Sequence, residues 1–242
     1  MRLDKYLADL QVGTRKEIKE MIRKGLVTVN GEIEKDPGTS VSGEEGIICD
    51  GEPMEYQEYV YYMMNKPEGV ITATEDSHQE TVLDLLPERR RKDLFPVGRL
   101  DKDTKGLLLI TNDGQLAHRL LSPKHHVEKT YEAWIEGLVT KLDVDRFARG
   151  VELEDFKAMP ARLEILQTYV SQQDQMENKS YVRVTIHEGK FHQIKRMFEA
   201  QHKKVAALKR ISMGPLTLDP DLPEGEFREL TPEEVAALKE VE

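Results

Sequence analysis

The chain has 242 residues, of which 35 are Lys or Arg and 45 are Asp or Glu, so its formal net charge is −10. This balance excludes a protein coated in positive charge, although nucleic acid responds to a local basic patch rather than to the sum. Hydrophobic residues make up 38% of the chain, which is enough for a core and excludes disorder throughout.

Cysteine content and hydropathy exclude several further classes of protein. The single cysteine, Cys49, excludes an internal disulfide framework and a cysteine-rich zinc site. The longest apolar runs, such as residues 107–110, fall far below the roughly 20 residues that span a bilayer. The N-terminus is charged and lacks the apolar stretch of a signal peptide. We therefore expect a cytoplasmic protein without a membrane partner.

The charge is distributed unevenly along the chain. Residues 1–24, 87–105 and 186–210 are each net basic, whereas nine acidic residues fall in each of the segments 25–59 and 219–242. Any one basic block alone is typical of a solvated face. Because all three coincide with motifs described below, together they indicate a local basic surface.

The first 58 residues predict a small separate module that begins with two helices. Apolar side chains recur at helical spacing over residues 3–10. Thr14 followed by Glu17 is a capping-box pattern and predicts the start of the second helix. The basic residues on the other faces of this helix are Arg15, Lys16, Lys19, Arg23 and Lys24.

Two turn signals predict a small sheet after these helices. Residues 26–29 are predicted to form a strand and precede Asn30-Gly31, a strong hairpin signal. Residues 47–49 precede Asp50-Gly51 and predict a further strand and turn. Residues 52–59 are polar and contain a proline, so we expect a linker there.

The remainder, residues 59–242, is predicted to be a second domain in which strands and helices mix. The predicted strands are residues 60–64, 107–111, 131–135, 163–166 and 181–186. The predicted helices are residues 81–86, a helix capped by Asp113 with Leu116, Leu120 and Leu121 inward, residues 193–201, and a tail helix capped by Thr231 with Pro232 at its first position. This irregular order predicts an α+β fold with a mixed, largely antiparallel sheet.

The most informative stretch is residues 98–114, GRLDKDTKGLLLITNDG, a polar loop that leads into an apolar strand. Asp101 and Asp103 lie among basic residues of this loop. A carboxylate next to cations stays ionised and can act as a nucleophile or base. A lone loop aspartate is more often one half of a solvated ion pair, so the pattern alone does not establish catalysis.

Two further stretches carry chemistry. In residues 188–197, EGKFHQIKRM, a turn leads into a helix that bears Lys195 and Arg196, and its N-terminus can receive phosphate. His192 with His187 is a weak metal pattern, because no Cys or Asp/Glu cluster supports it, and a structural or RNA-contacting histidine is favoured. Tyr131, after Lys129 at the mouth of a strand, is either a sheet residue or a stacking platform for an extracted base.

Together these stretches resemble the pseudouridine synthases, most closely the RsuA branch that acts on small-subunit ribosomal RNA. The matching motifs are Asn65-Lys66-Pro67-Glu68-Gly69, residues 98–101 with Thr104, residues 106–109 and 111–114, Lys129, Tyr131, and residues 188–197. The N-terminal module resembles the S4 RNA-binding domain in residues 2–7, Arg15 and residues 25–31. That second resemblance implies RNA contacts by Arg15, Lys16, Lys19 and Arg23, which give affinity rather than sequence choice.

The resemblance also implies roles within the second domain. Asp101 matches the catalytic aspartate, Tyr131 the tyrosine that packs on the target base, and Lys195 the basic residue that pairs with the aspartate, with Arg196 as the alternative. Arg99 matches an arginine thought to help open the RNA, and Leu108 and Ile194 fall among pocket positions. The remaining implied RNA contacts are Lys129, His192, Gln193 and Arg196.

The implied reaction is the isomerisation of uridine to pseudouridine, which needs no cofactor and no metal. It needs a flipped base, an apolar slot and one carboxylate. Asp101 either attacks the sugar C1′ or assists departure of the base. The resemblance to the RsuA branch implies that the target is uridine 516 of 16S RNA and that the enzyme is a monomer. The substrate is either the free RNA or an assembly intermediate of the small subunit. A large-subunit enzyme, whose last motif tends to read Asn-Arg-Gln, and a non-catalytic ribosome-assembly protein are the alternatives.

Overall fold

The computed structural model describes residues 1–10, 12–55, 57–87, 91–171 and 177–241. The chain divides into two compact units. The N-terminal unit comprises Met1–Val60 and Leu86–Leu94, and the C-terminal unit comprises Tyr61–Leu85 and Phe95–Glu242. This division differs from the single boundary after residue 58 that the sequence predicts, because residues 86–94 group with the first unit.

The N-terminal unit contains two helices and a four-stranded antiparallel sheet in the order β2-β1-β3-β4. Its elements are α1 (Leu3–Asp9), α2 (Arg15–Arg23), β1 (Val27–Val29), β2 (Glu32–Ile33), β3 (Ile47–Cys49) and β4 (Glu52–Met54). The expectation of a linker over residues 52–59 is wrong at its start, because Glu52–Met54 pairs with Ile47–Cys49.

Local signals explain this unit. The predicted capping box is confirmed: the Thr14 amide donates to Glu17 Oε2 at 2.8 Å, and the Glu17 amide donates to Thr14 Oγ1 at 3.3 Å. Both predicted turns are also confirmed, since Asn30 and Asp50 have φ of 53° and 51° and each precedes a glycine with positive φ. Such left-handed pairs match the twist of a hairpin.

Helix α2 is amphipathic. Ile18 and Ile22 are fully buried with the apolar residues of α1 and of the sheet. Three cations of α2 are exposed, namely Arg15, Lys16 and Arg23. Lys19 is half-buried, and its Nζ lies 3.8 Å from Asp4 Oδ2. The core thus turns the basic residues of this helix towards solvent.

The C-terminal unit is built on a nine-stranded sheet with helices. The strands are β5 (Tyr61–Lys66), β6 (Phe95–Pro96), β7 (Thr104–Thr111), β8 (Lys129–Glu136), β9 (Arg162–Tyr169), β10 (Lys179–Ile186), β11 (Lys204–Met213), β12 (Leu216–Thr217) and β13 (Phe227–Glu229). The helices are α3 (Gly114–Leu121), α4 (Lys141–Arg149), α5 (Gln193–Glu199) and α6 (Pro232–Lys239), with a 3₁₀ turn at Pro123–His125. No helix in the described ranges is both long enough and apolar enough to cross a membrane.

The sheet follows the order β13-β5-β7-β11-β8-β10-β9, with β12 on β11 and β6 on β7. Every strand pairing among the described residues is antiparallel except that of β7 with β11, which is parallel. The predicted α+β class with a mixed, largely antiparallel sheet is therefore confirmed.

Several predicted elements are confirmed with longer bounds, and some details are wrong. Asp113 caps α3, because its Oδ1 accepts a hydrogen bond from the Leu116 amide at 2.9 Å. Leu121, predicted to face inward, is 43% exposed. The predicted helix over residues 81–86 is a series of turns, in which the Thr81 amide donates to Asp84 Oδ2 and Thr81 forms a bridge with Ile71. Residues 81–86 are too few to nucleate a helix without packing support.

Gly106 permits the close parallel approach of β7 and β11. It pairs with Arg210 and has φ of 101°. A Cβ atom at this position would lie 2.2 Å from the carbonyl oxygen of Arg210 and 2.8 Å from its amide nitrogen. Backbone atoms of a central strand cannot move aside cheaply, so only glycine fits.

We predict that Gly106→Ala lowers the free energy of unfolding by about 2–4 kcal/mol, since overpacking and left-handed strain add. Gly114→Ala is the matched control, because a Cβ at the first residue of α3 has no atom within 4 Å. It should change stability by less than about 1 kcal/mol. Urea denaturation measures both, and equal stability of the two variants would contradict the packing argument.

Candidate active site

A cleft opens on the C-terminal unit. It is formed by the loop before β7, by strands β8, β10 and β11, and by the turn that leads into α5. Its lining residues are Arg99, Leu100, Asp101, Thr104, Tyr131, Ile186, Gly189, Lys190, His192, Gln193, Ile194, Lys195 and Leu208. Seven of the ten site residues predicted in the second domain therefore meet in one place.

The topology of the sheet explains this meeting. Because β7 and β11 are parallel neighbours, with Thr104 opposite Leu208, the segments that enter them lie at the same end of the sheet. The segment entering β7 carries Asp101, and α5 precedes β11 and carries Lys195. Residues 94 positions apart are thereby brought into contact.

Asp101 is held by Lys195. The Lys195 ammonium donates to Asp101 Oδ2 at 2.9 Å and to Asp103 Oδ1 at 2.6 Å. Burial favours the neutral lysine, but hydrogen bonds to Asp103 and Asp101 outweigh it and raise the pKa of Lys195 above its ordinary value. The lysine therefore stays protonated, and its positive charge lies beside the Asp101 carboxylate.

The two aspartates of the loop occupy different environments. The Asp101 side chain is 29% exposed and lines the cleft, whereas that of Asp103 is 62% exposed. Burial opposes ionisation of Asp103, but the hydrogen bond and charge of Lys195 prevail and lower its pKa. Asp101 is thus the carboxylate that a molecule in the cleft would contact. Asp103 also pairs with Lys195 but lies outside the cleft.

Arg196 does not take the place of Lys195. Successive residues of a helix point about 100° apart, and Arg196 forms an ion pair with Asp155 instead. Its guanidinium also lies over the Phe156 ring, 5.2 Å from the ring centroid. The sequence left Lys195 and Arg196 as alternatives, and in the structure Lys195 forms the ion pair with Asp101.

The cleft has an apolar interior. Tyr131, 7% exposed, belongs to β8, where it lies opposite Val184 of β10 and Arg210 of β11. Ile194 lines the cleft as expected. Leu108, predicted as a pocket residue, does not line it: the residue is fully buried in β7, about 13 Å beyond Thr104 at the rise of an extended strand. Leu100, Ile186 and Leu208 supply the apolar wall.

Two predicted RNA contacts lie in the interior. Strand alternation puts Lys129 on the same buried face as Tyr131, and its ammonium donates to the Val127 carbonyl at 2.8 Å. Burial, and then the charge of Arg210, lower the pKa of Lys129 to about 8. Gln193 is 4% exposed and accepts a hydrogen bond from the Lys190 amide at 3.0 Å. Both side chains are thus held by hydrogen bonds within the protein, and of the two only Gln193 lines the cleft.

Gln193 belongs to a network that shapes the turn before α5. Its amide nitrogen donates to Glu188 Oε1 at 2.7 Å, and the same oxygen accepts a hydrogen bond from the Met159 amide at 2.8 Å. His192 then adopts the left-handed conformation, with φ of 49° and ψ of 29°. This conformation brings its Nε2 to 3.5 Å from Asp101 Oδ1.

Lys66 holds the turn that follows Asp101, and the sequence did not reveal this role. The side chain is fully buried and donates to the carbonyls of Thr104 at 2.9 Å, Pro67 at 3.0 Å and Lys102 at 3.4 Å. Burial lowers its pKa to about 8 despite the opposing charges of Asp103 and Asp101. Lys66 therefore clamps both ends of the turn that follows Asp101.

The rim of the cleft is basic. Arg99 and Lys190 are exposed, and His192 is half-buried. His187, considered with His192 as a metal pattern, instead has its Nδ1 3.1 Å from the carbonyl of His126. Within the described ranges, no group of three or more His, Cys, Asp or Glu side chains could hold a metal ion.

Sequence comparison identifies both units. Residues 60–200 match the RNA pseudouridylate synthase family and residues 1–47 match the S4 domain. The chain is 48% identical over 243 residues to the uncharacterized RNA pseudouridine synthase YtzG of Bacillus subtilis (strain 168), covering 99% of each. It is 42% identical over 240 residues to the ribosomal small subunit pseudouridine synthase A of Vibrio cholerae, covering 98% of this chain and 99% of the relative.

Two further similarities extend this result. The chain is 39% identical over 238 residues to the ribosomal large subunit pseudouridine synthase B of Bacillus subtilis, covering 98% of this chain and 95% of the relative. A crystal structure of a pseudouridylate synthase superposes with a TM-score of 0.67 at 38% identity, covering 98% of this chain and 99% of the other. The chain is therefore a member of the RNA pseudouridylate synthase family that carries an N-terminal S4 domain.

Proposed function

We propose that this enzyme isomerises one uridine of 16S ribosomal RNA to pseudouridine, with uridine 516 as the target. The observation that carries the proposal is the pairing of Asp101 with Lys195 at the wall of a cleft that also holds Tyr131. The reaction requires a carboxylate, an apolar wall that excludes water and an aromatic ring that packs on the flipped base.

The chemistry needs no external reagent. The bond between N1 of uracil and C1′ of the sugar breaks, the base rotates, and C5 bonds to C1′, while the hydrogen of C5 is lost and N1 gains one. Asp101 either attacks C1′ or takes a proton from the sugar to assist departure of the base. In both cases Lys195 supplies the counterion of the carboxylate, Tyr131 packs on the uracil, and the apolar wall keeps water from the broken bond.

The small-subunit target is supported by the last motif and by one group of relatives. The Phe191-His192-Gln193 sequence differs from the Asn-Arg-Gln typical of the large-subunit branch. Relatives of both names match the full chain, at 42% identity for a small-subunit enzyme and 39% for a large-subunit enzyme. Large-subunit RNA is therefore the alternative substrate.

The N-terminal unit acts as an RNA clamp in this proposal. The exposed cations of α2 suit contact with phosphates, which adds affinity without reading sequence. A monomer needs no further chain to complete the site, because the lining residues all come from one C-terminal unit. The substrate is either free 16S RNA or an assembly intermediate that contains it.

Asp101→Ala should abolish pseudouridine formation, by at least about 10³-fold, while RNA affinity stays within a few-fold. Pseudouridine is mapped in ribosomal RNA from cells that lack the gene and are complemented with the wild type, Asp101→Ala or Asp103→Ala. Asp103→Ala is the matched control, because it also contacts Lys195 but lies outside the cleft, and it should restore the modification.

The same map tests the substrate. Modification that depends on the gene at one 16S position supports the proposal, whereas dependence at a 23S position moves the enzyme to the large-subunit alternative. Full modification with Asp101→Ala would refute the catalytic assignment. No gene-dependent modification anywhere would favour a non-catalytic assembly protein.

Lys195→Met and Arg196→Met form a second matched pair. Removal of Lys195 leaves Asp101 without its counterion, so the single-turnover rate at saturating RNA should fall by about 10²–10³-fold. Arg196→Met should leave that rate within about 3-fold and alter mainly RNA affinity, since its partner is Asp155. A larger rate loss in Arg196→Met would reverse the two roles.

The RNA clamp is tested with the triple variant Arg15→Ala, Lys16→Ala, Arg23→Ala. If each residue contacts a phosphate, the slope of log K against log salt should fall by about 2–3. Lys141→Ala, Lys179→Ala and Lys204→Ala together form a control with the same charge change on exposed lysines outside the cleft. An unchanged slope in the first triple variant would disprove contact by α2.

A further inference from the structure

Phe191 is unusually exposed for its size. Its exposed fraction is 69%, the highest among the large hydrophobic side chains in the described part of the chain. It lies in the turn before α5, next in sequence to two residues that line the cleft, Lys190 and His192. An exposed aromatic ring at the edge of a cleft offers a face on which an unpaired base can stack.

The ring of Phe191 is not freely placed. It stacks on the imidazole of His192, with ring centroids 3.7 Å apart and an interplanar angle of 18°. His192 in turn approaches Asp101, as described above. The stacked pair therefore extends from Asp101 outward to solvent, with His192 on the inside and the exposed face of Phe191 on the outside.

Cations lie near this stacked pair, two of them beside carboxylates: Arg196 pairs with Asp155, and Lys190 Nζ lies 3.9 Å from Glu188 Oε2. The Lys190 ammonium lies 3.6 Å from the centroid of the Phe156 ring, and the Arg196 guanidinium lies over the same ring. Arg99 adds a further exposed cation at the rim. Aromatic faces among cations are the pattern by which proteins hold unpaired nucleotides, because bases stack on the rings and phosphates meet the charges.

We propose that Phe191, supported by His192, is a binding site for the base of a nucleotide next to the target uridine. The inference rests on the proposed function, since extracting the uridine leaves a neighbouring base with an unstacked face. The outer face of Phe191 receives that base and replaces the lost stacking. Because every base has such a face, the site positions the RNA and does not select its sequence.

The test measures RNA affinity and single-turnover rate separately, on a 16S fragment that carries uridine 516. Phe191→Leu keeps an apolar side chain but removes the ring, and it should raise Kd by roughly 5- to 100-fold. The rate at saturating RNA should stay within about 3-fold. Phe191→Tyr should restore affinity. Tyr169→Leu is the control, an exposed ring on β9 that packs on Trp134 outside the cleft, and it should change neither quantity.

The partner of the ring is identified with fragments that carry an abasic nucleotide on the 5′ or the 3′ side of the uridine. On one of the two, the wild type should lose affinity, and Phe191→Leu should cause no further loss, since ring and base act as one contact. The proposal is overturned if Phe191→Leu leaves Kd unchanged, or if its loss is equal on the intact and both abasic fragments.

These outcomes are distinct from failure of the proposed function. A wild-type protein that binds the fragment through Phe191 but forms no pseudouridine would contradict the proposed reaction and leave the stacking site standing. A rate loss in Phe191→Leu without a change in Kd would instead make Phe191 a support for His192, and it would overturn the nucleotide site.

Discussion

The parallel pairing of β7 with β11 is the constraint on which the site depends. It places the entrance of one strand beside the entrance of the other, so a loop carboxylate and a helix ammonium meet although they are 94 residues apart. The pairing requires Gly106, where any side chain would collide with the backbone of Arg210. The meeting of Asp101 and Lys195 thus depends on a steric condition in the middle of the sheet.

Short-range signals were sufficient to predict much of the fold. The capping box of Thr14 and the Asn30-Gly31 turn depend on neighbours within a few residues, and both are present. The failures have a common cause. The turns after Thr81 and the exposure of Leu121 are decided by which neighbouring segments cover them, and no local pattern contains that information.

The candidate site was predictable to a similar degree. Family motifs named Asp101, Tyr131 and Lys195, and the structure brings all three to one cleft. The choice between Lys195 and Arg196 required the helix to be oriented against the loop. The interior position of Lys129 and the clamp formed by Lys66 were likewise inaccessible, because both involve backbone carbonyls, which carry no sequence signature.

The long span between Asp101 and Lys195 has a consequence for synthesis of the enzyme. During synthesis from the N-terminus, the S4 domain and Asp101 emerge before α5 and β11, which supply the counterion and the neighbouring strand. A partly made chain therefore contains the RNA-binding unit and the carboxylate, but not the assembled cleft. The cleft can therefore form only after α5 and β11 have been synthesised.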